Sequence, residues 1–153
     1  MRARLTVVLL AAAAVATAGI EHTVLHGVSV GRVGFSMAPD QVPGLTKEDA
    51  IALIKSRLQK ADVAVTPGNG ATLWLNATVI YKNSPVCFFR LDGQLVEDAT
   101  LLRNGLPVQA DSWQGGGTVG STTLADCAGS LRTAIDKAMD DFIEMRAAMN
   151  PKS

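Results

Sequence analysis

Apolar and polar residues alternate along several stretches of the chain, and this pattern predicts the strands. From His22 to Met37 the alternation is rich in valine and glycine, which indicates one strand with a bulge near Gly31. The turn sequence PGNG precedes ATLWLNATVIYK (residues 71–82), where the alternation is strict and predicts a second strand. NSP then turns the chain into a third strand, which begins with VCFFRLDG at residue 86.

A two-residue hairpin turn is predicted at Asn104-Gly105. A type I′ turn needs positive φ at both central positions, and these two residue types tolerate it best. The third strand would then run to about Arg103, and a fourth strand from Leu106 to Gln114. With Arg103 facing Leu106, the register of the whole hairpin follows.

Helical periodicity marks two further segments. Thr46 opens T-K-E-D, a capping-box variant that begins a helix. The apolar stripe of this helix comprises Ile51, Ile54, Leu58 and Ala61. A longer helix is predicted near the C-terminus, with Thr123 as its N-cap and Pro151 ending it. Its stripe comprises Leu124, Ala128, Leu131, Ile135, Ala138, Phe142, Met145 and Met149. This spacing also suits a coiled coil, but a helix packed on a sheet needs the same stripe.

These elements occur in the order β-α-β-β-β-α. We therefore predict an α+β fold of two layers, with a largely antiparallel four-stranded sheet and both helices on one face. The chain has 153 residues. This length suits one domain with one core, which we place at residues 19–153, after an N-terminal signal.

The N-terminal residues have the layout of a cleaved secretory signal. Two arginines precede an apolar run from Leu5 to Ala16, and a small-residue motif ends at Ala18. We expect cleavage to remove residues 1–18 and to leave the protein in the periplasm or outside the cell. No later segment approaches the roughly 20 apolar residues of a transmembrane helix, so we expect no stable membrane insertion after cleavage.

Charge and the histidines argue against two kinds of partner. The 14 basic side chains of the chain fall to 12 when two arginines leave with the signal, against 14 acidic ones. Without a basic stripe to neutralise a run of phosphates, nucleic acid is not an expected partner. His22 and His26 would lie roughly 13 Å apart along a strand, so they do not indicate a metal site.

The two cysteines, Cys87 and Cys127, predict a disulfide, because an oxidising compartment favours joining them. A zinc site is the weaker alternative, since two thiols without nearby histidines supply half of its ligands. Cys127 falls on the apolar side of the last helix, so Cys87 must face that helix from its strand. Phe89 and Leu91 then point inward with it, and Phe88 points outward.

The predicted hairpin register places two aspartates opposite each other. Asp98 would face Asp111, and Val96 would face Trp113. If no bulge intervenes between Cys87 and the turn, all four lie on the sheet face away from the helices, and Gly93 is the position where a bulge would most readily break this assumption. Opposed carboxylates repel and require solvent, a cation or a shared proton, and paired acids can perform acid-base catalysis. Asp98 and Asp111 are therefore the candidate catalytic residues. The alternative is that they are ordinary hydrated surface aspartates.

An apolar surface on the same outer face is the second candidate site. Trp74, Phe88, Val96 and Trp113 share the predicted outer face with Ile80. A large exposed apolar patch tends to mark the surface that contacts a partner or ligand. The alternative is that a loop or the N-terminal segment covers these side chains.

The stretch GGGTVGST (residues 115–122) nearly matches two nucleotide-binding patterns. Gly115, Gly117 and Gly120 fit G-x-G-x-x-G, and Ser121 stands where a P-loop has its lysine. Without that positive charge, and with no strand after the last helix, neither pattern is complete. We therefore predict no nucleotide or other cofactor, and interpret the glycines as a hinge between the fourth strand and the last helix.

Four segments of the chain resemble small exported bacterial proteins of uncharacterised families. They are GLTKEDAIALIKSRLQKADVAV, ATLWLNATV, DSWQGGGTVG and DDFIEMRAAMNP. Their motifs are structural, so the resemblance implies a small α+β fold without an activity. More distantly, the order of elements is similar to that of small adaptor domains of the bacterial envelope.

We expect a non-catalytic periplasmic module that binds an envelope protein, a glycan or a small ligand through the outer sheet face. The alternative is a small periplasmic enzyme that uses Asp98 and Asp111. The first hypothesis is favoured because the sequence contains no complete catalytic motif, such as a G-x-S-x-G elbow.

Overall fold

The computed structural model describes residues 25, 27–39, 42–68, 70–81 and 84–151. Its elements are β1 (Val30–Ala38), α1 (Lys47–Lys60), β2 (Ala71–Ile80), β3 (Val86–Thr100), β4 (Pro107–Thr123) and α2 (Cys127–Met149). The strands form one sheet in the order β1-β2-β3-β4, with β1 parallel to β2 and the other neighbours antiparallel. The helices pack against the sheet and against each other. The predicted α+β fold, element order and largely antiparallel sheet are confirmed.

The first strand begins later than the sequence pattern predicts, at Val30 instead of His22. The predicted bulge is confirmed, since the register with β2 shifts between Val30 and Arg32 and leaves Gly31 as the extra residue. The predicted signal segment and both histidines lie outside the described residues.

The capping box predicted at the start of α1 is present. The Thr46 hydroxyl accepts a hydrogen bond from the Asp49 backbone N–H, and the Asp49 carboxylate accepts one from the Thr46 N–H, both at 3.1 Å. The bond from the Thr46 backbone lowers the pKa of the Asp49 carboxyl below its ordinary value. Ala50, Ile54 and Leu58 form the buried stripe of this helix.

The hairpin between β3 and β4 closes through a longer turn than predicted. The backbone N–H of Leu101 donates to the carbonyl of Leu106 at 2.9 Å, so the four residues between them form the loop. Gly105 has a φ of 69°, but among the described non-glycine residues only Asp62 has positive φ. A type I′ turn needs positive φ at both central positions, so the predicted two-residue turn, with Arg103 facing Leu106, is wrong.

The fourth strand extends to Thr123, well beyond the predicted end at Gln114. It contains the whole of GGGTVGST, which pairs with the first half of β3, so the interpretation of this stretch as a hinge is wrong. Two bulges interrupt the pairing, with Ser112 and Gly117 as the extra residues. The last helix begins only at Cys127, and Thr123, its predicted N-cap, ends β4 instead.

Trp113 packs between the sheet and α2. This residue is only 5% exposed. Its ring centre lies 5.1 Å from that of Phe142 on α2, in an edge-to-face arrangement. The indole also covers Gly93 and Gly115, where an added Cβ would overlap the ring. Glycines of the hairpin thus make room for an aromatic side chain of the core.

The predicted disulfide is confirmed. Cys87 on β3 is joined to Cys127, the first residue of α2, with the two Cα atoms 5.8 Å apart. Phe89 and Leu91 are buried on the same side of the strand as Cys87, whereas Phe88 is exposed, which confirms the predicted orientation of β3. The bond ties the sheet to the start of the helix that covers it.

Removing the disulfide should destabilise the domain strongly. The bond closes a loop with a sequence separation of 40, and the chain-entropy relation assigns such a loop about 4 kcal/mol. We expect Cys87→Ala/Cys127→Ala to lower the free energy of unfolding by about that amount, measured by urea denaturation. A double variant with an unchanged unfolding midpoint would contradict this expectation.

Adding a methyl group beneath an aromatic ring should also destabilise the domain. Gly120 lies opposite Phe89 in the sheet, and a Cβ there would overlap the Phe89 ring. We expect Gly120→Ala to cost about 1–3 kcal/mol of unfolding free energy through overpacking. Gly129 on α2 is the matched control, since a Cβ there meets nothing within 4 Å and alanine favours a helix. Equal stability of the two variants in calorimetry would refute the packing explanation.

Candidate functional site

The outer face is the surface of the sheet turned away from the helices, and it carries most of the residues that the sequence singles out. On β2 the odd-numbered residues are buried, so Trp74 lies on the outer face. On β3 the odd-numbered residues are buried up to Leu95, which leaves Phe88, Val96 and Asp98 on the outer face.

The two candidate catalytic aspartates do not face each other. Asp98 pairs with Gln109, and Asp111 pairs with Val96, because the four-residue turn moves the register by two residues from the predicted one. Asp98 and Asp111 are thus diagonal neighbours on one face, roughly 7–8 Å apart. Asp111 also accepts a hydrogen bond from Gln114 Nε2 at 2.9 Å. The predicted direct opposition of the two carboxylates is wrong.

The residues predicted to form one apolar surface lie on both faces of the sheet. Trp113 is buried on the inner face, because the bulge at Ser112 reverses the orientation of the strand between Asp111 and Trp113. The prediction that Trp113 faces outward, which assumes a hairpin without a bulge, is therefore wrong. Trp74 and Phe88 do lie on the outer face, but Trp74 is toward one end of it and Phe88 is at the other.

An open pocket of about 380 Å³ lies where the outer face meets the projecting part of the β3–β4 hairpin. This hairpin continues past the last pair that β3 forms with β2, which is Val96 with Thr72. The loop before β2 and the bulge of β1 complete the pocket. We call it the Trp74 pocket, and it is lined by Gly31, Arg32, Gly68, Gly70, Thr72, Trp74, Val96, Asp98 and Gln109.

Close approach of the backbone shapes the Trp74 pocket. Trp74 lies over Gly34 of the neighbouring strand, where an added Cβ would overlap the indole. Gly70 has a φ of 105°, and its backbone comes so near Ser29 that a side chain would not fit. The Ala71 N–H donates to the Ser29 carbonyl at 2.9 Å, which holds the loop beside the start of β1.

The polar groups that line the Trp74 pocket include one cation and one anion. Arg32 lies on β1 and Asp98 on β3, with β2 between them. Neither side chain forms an ion pair with another residue that the structure describes. Gln109 and Thr72 add an amide and a hydroxyl to the lining. A ligand in this pocket therefore meets a cation, an anion and neutral polar groups beside one aromatic ring.

A polar band crosses the outer face beyond the pocket. Ser36 Oγ donates to Asn76 Oδ1 at 2.6 Å. Arg90 donates two hydrogen bonds to the Asp92 carboxylate, at 2.8 and 3.0 Å, and this hydrogen bonding raises the pKa of Arg90. The groups of this band satisfy one another, so they are less available to a ligand than the charged groups of the Trp74 pocket.

An exposed apolar patch occupies the far end of the outer face. Ile80, Phe88 and Val119 form it, and these residues are 65%, 53% and 75% exposed. Ile80 pairs with Phe88, and Val119 lies diagonally from Phe88 across the hairpin. The sequence pattern does not predict Val119 as part of this patch, because a hinge at residues 115–122 would place it outside the sheet.

Metal-binding clusters and membrane-spanning helices are both absent from the described residues. No group of three or more histidine, cysteine, aspartate or glutamate side chains in that part of the chain could hold a metal ion. None of its helices is long and apolar enough to cross a bilayer.

Comparison with known proteins shows a distant structural neighbour. No family model and no curated protein matches the chain. Among solved structures, the chain is similar to a PelC dodecamer from Paraburkholderia phytofirmans. The two are 16% identical, with a TM-score of 0.41, over 74% of this chain and 86% of that chain. At this identity and TM-score the similarity carries no argument about function.

The two tryptophans should report different environments. The chain has two, of which Trp74 is half-buried at the pocket and Trp113 is buried in the core. We expect Trp113→Phe, which leaves Trp74, to show red-shifted emission that iodide quenches readily. Trp74→Phe, which leaves Trp113, should emit at shorter wavelength and resist quenching. Equal quenching of the two variants would contradict the burial of Trp113.

Proposed function

We propose that the protein is an exported, non-catalytic binding module of the cell envelope that holds its ligand in the Trp74 pocket. The observation that carries this proposal is the pocket itself, where an aromatic ring lies among charged groups that have no partner within the described chain. Pockets that combine aromatic or apolar walls with a few convergent polar groups are the usual sites of ligand recognition.

The exported location in this proposal rests on two observations. The first is the secretory signal predicted at residues 1–18. The second is the Cys87–Cys127 disulfide, since disulfides persist in oxidising compartments such as the periplasm. A binding module of the envelope would use the disulfide to keep its small core folded outside the cytoplasm.

Binding without catalysis suits the positions of the aspartates. A carboxylate pair acts in acid-base catalysis when both groups converge on the same proton or the same bond. Asp98 lines the pocket, whereas Asp111 is diagonal to it and accepts a hydrogen bond from Gln114. An enzyme that uses Asp98 and Asp111 is the second hypothesis, and no observation in the structure favours it over binding.

A ligand screen tests the proposal. We expect at least one class of polar molecule among neutral saccharides, amino acids and inorganic anions to raise the melting temperature and to change the fluorescence of Trp74. Trp74→Ala should abolish the rise in melting temperature and keep the far-UV circular dichroism of the wild type, because the ring forms the apolar wall of the pocket. Val119→Ser, at a site that is 75% exposed and outside the pocket, is the matched control and should respond as wild type.

Two results would count against this proposal. An unchanged response in Trp74→Ala would show that the ligand binds elsewhere. Turnover of a bound molecule that both Asp98→Asn and Asp111→Asn abolish would establish the enzyme hypothesis in its place.

A further inference from the structure

We infer that the ligand of the Trp74 pocket is a neutral saccharide unit within a glycan chain that continues across the outer face. This inference rests on the proposed function and names the chemical class of its ligand. Three features carry it: the supported aromatic ring, the balance of charge around that ring, and a row of amide side chains that leads away from the pocket.

The indole of Trp74 supplies the apolar contact. It is half-buried and packed over Gly34, so the neighbouring strand supports the ring and its position on the sheet is fixed. A ring held in this way offers a flat apolar surface at low entropic cost. A pyranose ring has a face of C–H groups and a rim of hydroxyl groups, so it can stack on the indole and still present hydroxyls to the pocket.

The groups around the indole suit these hydroxyls. Asp98 only accepts hydrogen bonds, Arg32 only donates them, and Gln109 does both. Each sugar hydroxyl is a donor and an acceptor, so one sugar unit can engage all three side chains. Hydrogen bonds to ionised partners are the stronger ones, which makes Arg32 and Asp98 the orienting groups of the site.

The balance of charge disfavours other polar ligands. Arg32 and Asp98 are the charged residues of the described lining, and their formal charges cancel. A phosphate or carboxylate attracted by Arg32 would be repelled by Asp98. A cation attracted by Asp98 would be repelled by Arg32 in the same way.

Side chains beside the pocket continue the same chemistry. Gln94 is the cross-strand neighbour of Trp74, and Gln114 is the neighbour of Gln94 on β4. Amides that both donate and accept therefore lead from the pocket to the edge of the sheet. Further sugar units of the chain would lie along this row.

Calorimetric titration and Trp74 fluorescence of the purified protein test the inference with defined probes. The neutral probes are chitotriose, cellotriose and maltotriose with their monosaccharides, and the charged probes are trigalacturonate and the trimer of glucosamine. We expect one neutral trisaccharide to shift Trp74 emission to shorter wavelength and to bind about ten-fold more tightly than its monosaccharide. Trp74→Ala should weaken that binding about ten-fold or more, which is the scale of one aromatic contact.

A second variant distinguishes the contribution of the amide row to binding from that of the pocket. Gln94→Ala/Gln114→Ala should remove the advantage of the trisaccharide and leave binding of the monosaccharide unchanged, because these glutamines lie outside the pocket lining. Val119→Ser is again the control. Equal affinity of the wild type and the glutamine variant for the trisaccharide would overturn the path along the outer face.

The remaining outcomes distinguish this inference from the proposed function. Binding of the charged trisaccharides at Trp74, or of an amino acid or inorganic phosphate from the ligand screen, without binding of any neutral trisaccharide, would overturn the saccharide inference and leave the pocket as a binding site. No response of Trp74 to any of these probes would overturn both the inference and the proposed function.

Discussion

Trp113 lies in the core because of a single extra residue in β4, and the chemistry of both sheet faces depends on that residue. The bulge at Ser112 turns the strand over, so Asp111 stays on the outer face while Trp113 packs against Phe142 of α2. With regular pairing, Trp113 and Asp111 would share one face. The core would then lose an indole, and the outer face would gain a second one near Trp74.

The features that the sequence predicts correctly depend on short-range or covalent constraints. The burial pattern of β2 follows from strict alternation, and the capping box needs only Thr46 and Asp49, three residues apart. The orientation of β3 near Cys87 is also predicted correctly. The disulfide decides which side of that strand faces α2, whatever the register at the distant turn.

The errors concern pairing over a distance and the site that depends on it. A register counted from a two-residue turn misplaces Asp98 and Asp111 by two residues. The bulges at Ser112 and Gly117 each shift the register back by one residue. The observed pairing therefore agrees with the prediction again near Cys87. The bulge at Ser112 places the Trp113 ring in the core, and no glycine or proline at that position marks it in the sequence. The Trp74 pocket combines residues from three distant segments, so no motif in the sequence announces it.

Glycines lie beneath aromatic rings on both faces of the sheet. On the inner face Gly93 and Gly115 accept the indole of Trp113, and on the outer face Gly34 accepts that of Trp74. A side chain at Gly115 would displace the Trp113 ring toward α2. A side chain at Gly34 would displace the Trp74 ring, which forms the apolar wall of the pocket. Two glycines of GGGTVGST, Gly115 and Gly120, therefore leave the backbone surface bare beneath an aromatic ring, whereas Gly116 and Gly117 have positive φ. Gly34, which belongs to no motif, does for the pocket what Gly115 does for the core.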